Sequence, residues 1–179
     1  MINIVFGKNI LIEMEDKAKN GDSDAAYQLA FHYLFKEGNY SKHYEWLEYS
    51  YRLGNIAAGL NLAQIKNDSS QKEYYNLKES IGILKEIEKK SYGSQQMLII
   101  IELIKTLKLN NSPNDVDFFY KKKEEIISNC VKSINQLDRP PEDPELNKKI
   151  KICADILRVS ERVKFSRLIK KVEHFYETQ

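Results

Sequence analysis

A chain of 179 residues is long enough for one domain with a sizeable core and short for two. With 42% apolar and 30% charged residues, and only 7 Gly and 4 Pro, the composition excludes a disordered chain and favours an ordered, soluble, helix-rich protein. A net charge of +2 is too small to argue for a nucleic-acid binder by itself.

The opening residues Met1-Ile2-Asn3-Ile4-Val5-Phe6 carry no basic leader, and Glu13, Glu15 and Asp16 follow at once, so no secretory signal is expected. Residues 10–19 then hold a first helix, with Ile10, Leu11, Met14 and Ala18 on its apolar face. Gly21 lies just past its end, where a left-handed cap residue fits. Asp22, Ser23 and Asp24 are good N-cap residues for a second helix that runs to about Lys36 and is ended by Gly38-Asn39. Ser41 is expected to cap the partner helix, with Glu45 near its start to favour the dipole. That helix carries Tyr44, Trp46, Leu47, Tyr51 and Leu53 and stops at Gly54-Asn55.

The stretch 18–65 then repeats itself. Setting Gly21 beside Gly54, a shift of 33 residues, superposes Ala25 on Ala58, Leu29 on Leu62 and Ala30 on Ala63, all on one helical stripe. Small residues there let a neighbouring helix approach closely, and Leu supplies buried apolar area. A self-match at this period predicts stacked helix pairs, each unable to bury its apolar face without the next. The elements Gly21-x3-Ala25-Ala26-Tyr27-x-Leu29-Ala30-x2-Tyr33, Lys42-His43-Tyr44-Glu45-Trp46-Leu47 and Gly54-x3-Ala58-x3-Leu62-Ala63 resemble the Sel-one-like repeat, a short-helix relative of the tetratricopeptide solenoids. The resemblance implies that the Gly makes the turn, the Ala and Leu element packs the first helix of a pair, and Trp-Leu packs the second. Three positions depart from it. Ser50-Tyr51 stands where two alanines are usual, His43 where an Ala is usual, and Lys66 in place of the Tyr33 equivalent.

A weaker echo follows. A shift of 37 residues sets Leu84 on Leu47 and Ser91 on Gly54, with a polar loop over 67–71 between. Helices are predicted over 78–90 and, as a buried element too short to span a bilayer, over 97–109. Residues 110–115 form a turn and cap. A further helix over 116–137 carries Phe119, Ile126, Ile127, Cys130 and Ile134 at helical spacing, and the Pro140-Pro141 stretch stops it. Residues 145–176 form one long amphipathic pattern without Gly or Pro, either one long helix or two with a bend, that would cover the end of the solenoid. The expected fold is all-α, an α-α superhelix of Sel-one-like or tetratricopeptide-like type with a long C-terminal capping helix. Residues 1–112 would form the repeat region and 113–179 the cap, within one compact domain.

Little in the chain points to catalysis. Cys130 and Cys153 lie in apolar helical patterns, so buried free thiols are expected rather than a disulfide or metal site, in keeping with a reducing, cytoplasmic setting. His32, His43 and His174 lack ligand spacing, so no metal is expected, and the first two read as packing or surface residues. A Gly-rich phosphate loop, a Gly-x-Ser-x-Gly elbow and a Cys/His nucleophile pattern are all missing, which predicts no cofactor and no enzyme.

Two sets of residues point instead to a protein partner. Tyr27, Phe31 and Phe35 recur at four-residue steps on a different stripe from Ala26, Leu29 and Tyr33. In solenoids resembling this one, that stripe faces the concave side, where partners bind. The competing reading is that the first helix covers it. Left uncovered, it would be an aromatic anchor surface. The second set is basic: between Lys148 and Lys171 nine Lys and Arg stand against two acids, a net +7 that includes Arg158, Arg162 and Arg167. The plain reading is a solvated face. Docking an acidic protein comes next, then nucleic acid, which lacks aromatic interleaving here, and then a membrane surface, whose apolar contact the cap already uses.

The expected function is non-catalytic protein binding. A small, leaderless, Lys/Asn/Ile-rich chain made of this repeat resembles bacterial immunity proteins, which implies occlusion of a cognate toxin, with complementary charge speeding capture. Two rivals stand beside it: an adaptor, scaffold or host-directed effector of the same repeat type, and a nucleic-acid-associated factor using the basic helix. The oligomeric state is left open.

Overall fold

Residues 8–177, the part of the chain that the computed structural model describes, form nine helices, with no strand among the described residues. These are α1 (Lys8–Lys19), α2 (Ser23–Phe35), α3 (Tyr40–Arg52), α4 (Ile56–Asn67), α5 (Leu77–Lys90), α6 (Gly93–Leu109), α7 (Pro113–Asn135), α8 (Pro144–Glu161) and α9 (Ser166–Glu177). The fold is all-α, as expected. The reading of Met1 to Phe6 lies outside the described residues. No described helix is long and apolar enough to cross a membrane. The chain divides into two compact units between Ile87 and Glu88, inside α5, and not at the turn near residue 112.

In the first unit two corners share one construction. Gly21 and Gly54 take the left-handed backbone, φ +95° and +96°, which a residue with a Cβ resists. Past each glycine the next N–H reaches back across the helix end, Asp22 to Lys17 O and Asn55 to Ser50 O, both at 3.1 Å. The glycine N–H closes the inner bond, to Ala18 O at 2.9 Å and to Tyr51 O at 2.8 Å, completing a Schellman motif. Asp22 and Asn55 then start the next helix, each accepting from an alanine N–H, Ala25 and Ala58, at 2.9 Å.

Between these corners the predicted stripe is packed: Ala25, Leu29, Ala30 and their counterparts Ala58, Leu62 and Ala63 are all buried. α1 covers the first of them, with Ala18 against Ala25, Ala26 and Leu29 and with Leu11 and Met14 alongside. Tyr33 donates to Glu15 Oε1 on α1 at 2.9 Å, and burial followed by that bond pushes its phenol up to about 12. The 37-residue echo is also visible in hydrogen bonds. His43 Nδ1 donates to Ala30 O at 2.8 Å, and Ser80 Oγ to Ala63 O at 2.9 Å. Asn39 and Asn76 cap the following turns alike, accepting from Lys42 N at 3.0 Å and Glu79 N at 3.1 Å. Asn39 therefore takes the cap expected of Ser41, which sits inside α3 and donates to Glu45 Oε1 at 3.2 Å. The echo ends at Ser91: the left-handed residue is Gly93, φ +61°, and not the position matched to Gly54.

The unusual residues of the second pair have structural uses. Ser50 is buried and its Oγ donates to Ser23 O at 2.7 Å. Tyr51 donates to Glu86 Oε2 at 2.5 Å, and its ring occupies room that Gly59 leaves. A Cβ on Gly59 would stand 2.9 Å from both Tyr51 Cδ2 and Ile87 Cγ2, so α3 and α5 both press on α4 where it has no side chain.

The second unit closes over Met97, Ile127, Ile134, Ile150, Leu157 and Val172. The pattern at 145–176 forms two helices, and the turn between α8 and α9 brings Phe165 into this core. Lys171 Nζ donates to Ile134 O at 3.1 Å, a second bond to a carbonyl at the end of α7 that also accepts from Leu137 N at 3.3 Å. Glu88 is buried here, with Gln96 Nε2 and Lys122 Nζ each at 2.8 Å. One expectation is overturned: Cys130 on α7 and Cys153 on α8 are joined as a disulfide, with Cα atoms 5.0 Å apart, and are not free thiols. The cause is tertiary. The Pro140-Pro141 turn folds α8 back on α7, and the two cysteines lie at nearly equal chain distances from it. The reducing setting inferred from free thiols loses that support.

Two outcomes follow from this packing. Gly59→Ala gains about 1 kcal/mol of helix propensity but overpacks the α3–α4–α5 contact, so a net loss of about 1 kcal/mol or more is expected. A lower thermal midpoint would register it, and an unchanged or raised midpoint would remove the close-approach argument. For the cysteines, the intact mass without reductant should fall short of the dithiol by two hydrogens, and reduction should cost about 3 kcal/mol in denaturant titration.

A candidate partner-binding face

α2 carries two faces with different fates. Its alanines and Leu29 are buried, whereas Tyr27, Phe31 and Phe35 form a continuous aromatic run on another side. Tyr27 and Phe31 meet edge to face with ring centres 4.9 Å apart, and Phe31 and Phe35 stack at 5.7 Å. The described part of α1 packs on the alanine face. Tyr27 and Phe31 are half-buried, and Phe35 is 73% exposed. Tyr27 is fixed by Asn61, whose Nδ2 donates to its hydroxyl at 2.8 Å, while burial raises its phenol above the ordinary value.

Further aromatic groups converge on the same place. Phe31 lines a cavity of about 330 Å³ with Tyr40, His43, Tyr44 and Tyr74, built from α2, α3, α4 and the connector that leads to α5. Tyr44 and Tyr74 stack at 4.2 Å, and His43 packs edge-on to Phe31 at 5.4 Å. Because a carbonyl can only accept, the bond to Ala30 O puts the His43 proton on Nδ1. Behind Tyr44 lies a buried lysine. Lys66 Nζ donates to Tyr44 Oη at 2.6 Å and pairs with Glu79 at 3.0 Å. Burial pulls the Lys66 ammonium down, but those two partners outweigh it and the net shift is upward.

Tyr40, Tyr44 and Tyr74 were not singled out by sequence spacing as partner groups. Tyr44 reads as a packing residue of α3. Tyr74 belongs to a connector that is four residues longer than its counterpart between α2 and α3, measured between matching bonds, Asn39 N to Tyr33 O and Asn76 N to Lys66 O, both 2.9 Å. The change of the repeat shift from 33 to 37 residues across that connector is the signal that could have found it.

The basic set is dispersed within the second unit. Arg158 binds Asp155 and Glu173, the latter at 2.9 Å, and so is engaged within the chain. Arg162 forms the C-cap of α8, and Arg167 sits in the first turn of α9, both exposed. Lys164 pairs with Glu161 at 3.2 Å. Among the described residues no three His, Cys, Asp or Glu side chains gather as a metal site would need.

Part of the chain is similar to YibG of Escherichia coli strain K12, described as an uncharacterized protein, with 34% identity over 73 residues. The match covers 40% of this chain and 48% of YibG, so the chain spans about half the length of this curated relative. No protein-family model matches the chain, and no solved structure does.

The His43 contact makes a pH prediction. Burial holds its imidazole below the ordinary value, with the bond to Ala30 opposing. The unfolded chain therefore takes up the proton first, so this contribution is intact above about pH 6.5 and is lost as pH falls below it. The thermal midpoint should decline between about pH 7 and pH 5.5. In His43→Ser, whose hydroxyl can bond Ala30 as Ser80 bonds Ala63, that decline should flatten. An equally steep decline in the variant would assign the effect to another group.

Proposed function

We propose that this chain is a non-catalytic protein-binding module whose first unit is a short helix-pair solenoid of the Sel-one-like kind. The observation that carries the reading is the aromatic run of α2, in which half-buried Tyr27 and Phe31 lead to Phe35 at 73% exposure, with Tyr40 at 59% exposure in the cavity that Phe31 lines. Large aromatic side chains held rigid against one another lose little freedom on binding, and such groups supply most of the energy at protein interfaces. The repeat type is supported by the matched corners at Gly21 and Gly54 and by the alanine stripe between them.

In its sharper form the partner is a bacterial toxin, and the chain is an immunity protein that covers the toxin's working surface. Support for this form is the resemblance stated for the repeat. Arg162 and Arg167, exposed on the second unit, would draw an acidic partner surface toward the chain. Arg158 has a lesser part, since Asp155 and Glu173 already neutralise it. A cytoplasmic setting belongs to this proposal too, and the Cys130–Cys153 pair weighs against it, because disulfides persist chiefly in oxidising compartments.

The test is co-purification of the tagged chain from its native cell. A single partner near 1:1 stoichiometry is expected, and Phe35→Ala should weaken its capture at least tenfold, about 1.4 kcal/mol or more. The thermal midpoint should not move, because the Phe35 ring is solvent-facing. Retention of the partner at full affinity by both Phe35→Ala and Tyr40→Ala would overturn the assignment of this face. If the partner inhibits growth when expressed alone, and the chain relieves it, the immunity form stands.

A further inference from the structure

The cavity beside the aromatic run has a charge character that the protein-binding reading does not by itself require. Its lining includes the aromatic side chains of Phe31, Tyr40, Tyr44 and Tyr74 and the amides of Asn61 and Gln64. Asp68 is the formally charged group among the residues that line it. The Asp68 carboxylate accepts from Ser70 N at 2.9 Å, and bonds from Ser70 hold it below the usual carboxylate range. Glu73 and Glu45 add negative potential at Tyr74, whose phenol is raised by burial first and then by these charges. Lys66, behind Tyr44, is already committed, buried against Tyr44 Oη and Glu79.

Aromatic faces present negative charge to an approaching group, and a carboxylate among them adds to it. An acidic side chain entering the cavity would meet Asp68 with like charge. An apolar one would desolvate Asp68 and the amides without replacing their hydrogen bonds. A side chain with an apolar stem and a cationic head satisfies both the rings and the carboxylate. We infer that the cavity between α2, α3, α4 and the connector at 68–76 receives a lysine or arginine side chain of the partner protein. The inference rests on the protein-binding reading and supplies the chemistry of one contact. It does not conflict with an acidic partner surface at Arg162 and Arg167, since a partner can carry both.

The test uses the whole chain and small probes. Nα-acetyl-argininamide and Nα-acetyl-lysinamide are titrated against ring resonances of labelled tyrosines, with Nα-acetyl-citrullinamide as the neutral isostere. At least one cation should shift Tyr40, Tyr44 and Tyr74 saturably and bind at least about fivefold more tightly than citrullinamide. Asp68→Asn should erase most of that preference. Equal binding of the neutral probe, or no shift with either cation, would overturn the inference, and the wild-type titration decides this even if the variant fails to fold. Co-purification reports separately. A chain that captures its partner but ignores both cations loses the cavity assignment alone. A chain that binds the cations yet captures no protein would overturn the assignment of the cavity to a partner side chain and, with it, the protein-binding reading.

Discussion

Helices in the first unit meet over residues with little or no side chain, and the remaining features of that unit depend on this constraint. Ala25, Ala26, Ala30, Ala58 and Ala63 are buried, and Gly59 is pressed from two sides. Close approach brings backbone carbonyls within reach of side chains on the next helix, which is why Ala30 O and Ala63 O find His43 and Ser80. A leucine at either alanine would push those partners apart and leave the buried His43 N–H or Ser80 hydroxyl without its acceptor. The left-handed glycines set the direction of each return, and the Asx caps set where the next helix begins.

That packing confines the core of α2 to one side, so its opposite flank is available for other chemistry. The aromatic run Tyr27, Phe31 and Phe35 occupies this flank, and the half-buried members brace the exposed one. The neighbouring cavity takes its rings from α2, α3 and the connector before α5, and its carboxylate from that same connector. Rigidity comes from the helix packing, whereas the charge comes from a segment outside it.

Much of this organisation is legible in the residues. Gly21 and Gly54 stand at a fixed interval with an alanine four residues beyond each, and only a backbone corner followed by a close-packed helix needs that combination. The pattern over 145–176 is compatible with one helix or two, because the bend carries neither Gly nor Pro and depends on Phe165 finding the core. The Cys130–Cys153 pair is hidden in the sequence for a related reason. Local spacing describes one helix at a time, while a hairpin pairs residues at equal distances from its turn, here Pro140-Pro141. Tyr44 and Tyr74 are not legible as a pair, because one has the spacing of a core residue and the other lies in a loop, and only their stacking makes them a wall.

The connector before α5 differs from its shorter counterpart only between fixed points. Both begin at a residue whose carbonyl accepts from an asparagine, and both end at that asparagine's cap. Extra residues can therefore be spliced into the link without disturbing the register of either flanking helix, and here they bring Asp68, Gln71 and Tyr74 to the cavity. Such a hinge-to-hinge cassette separates selectivity from stability. Descendants of one scaffold could trade this segment and change what they grip while inheriting the same frame.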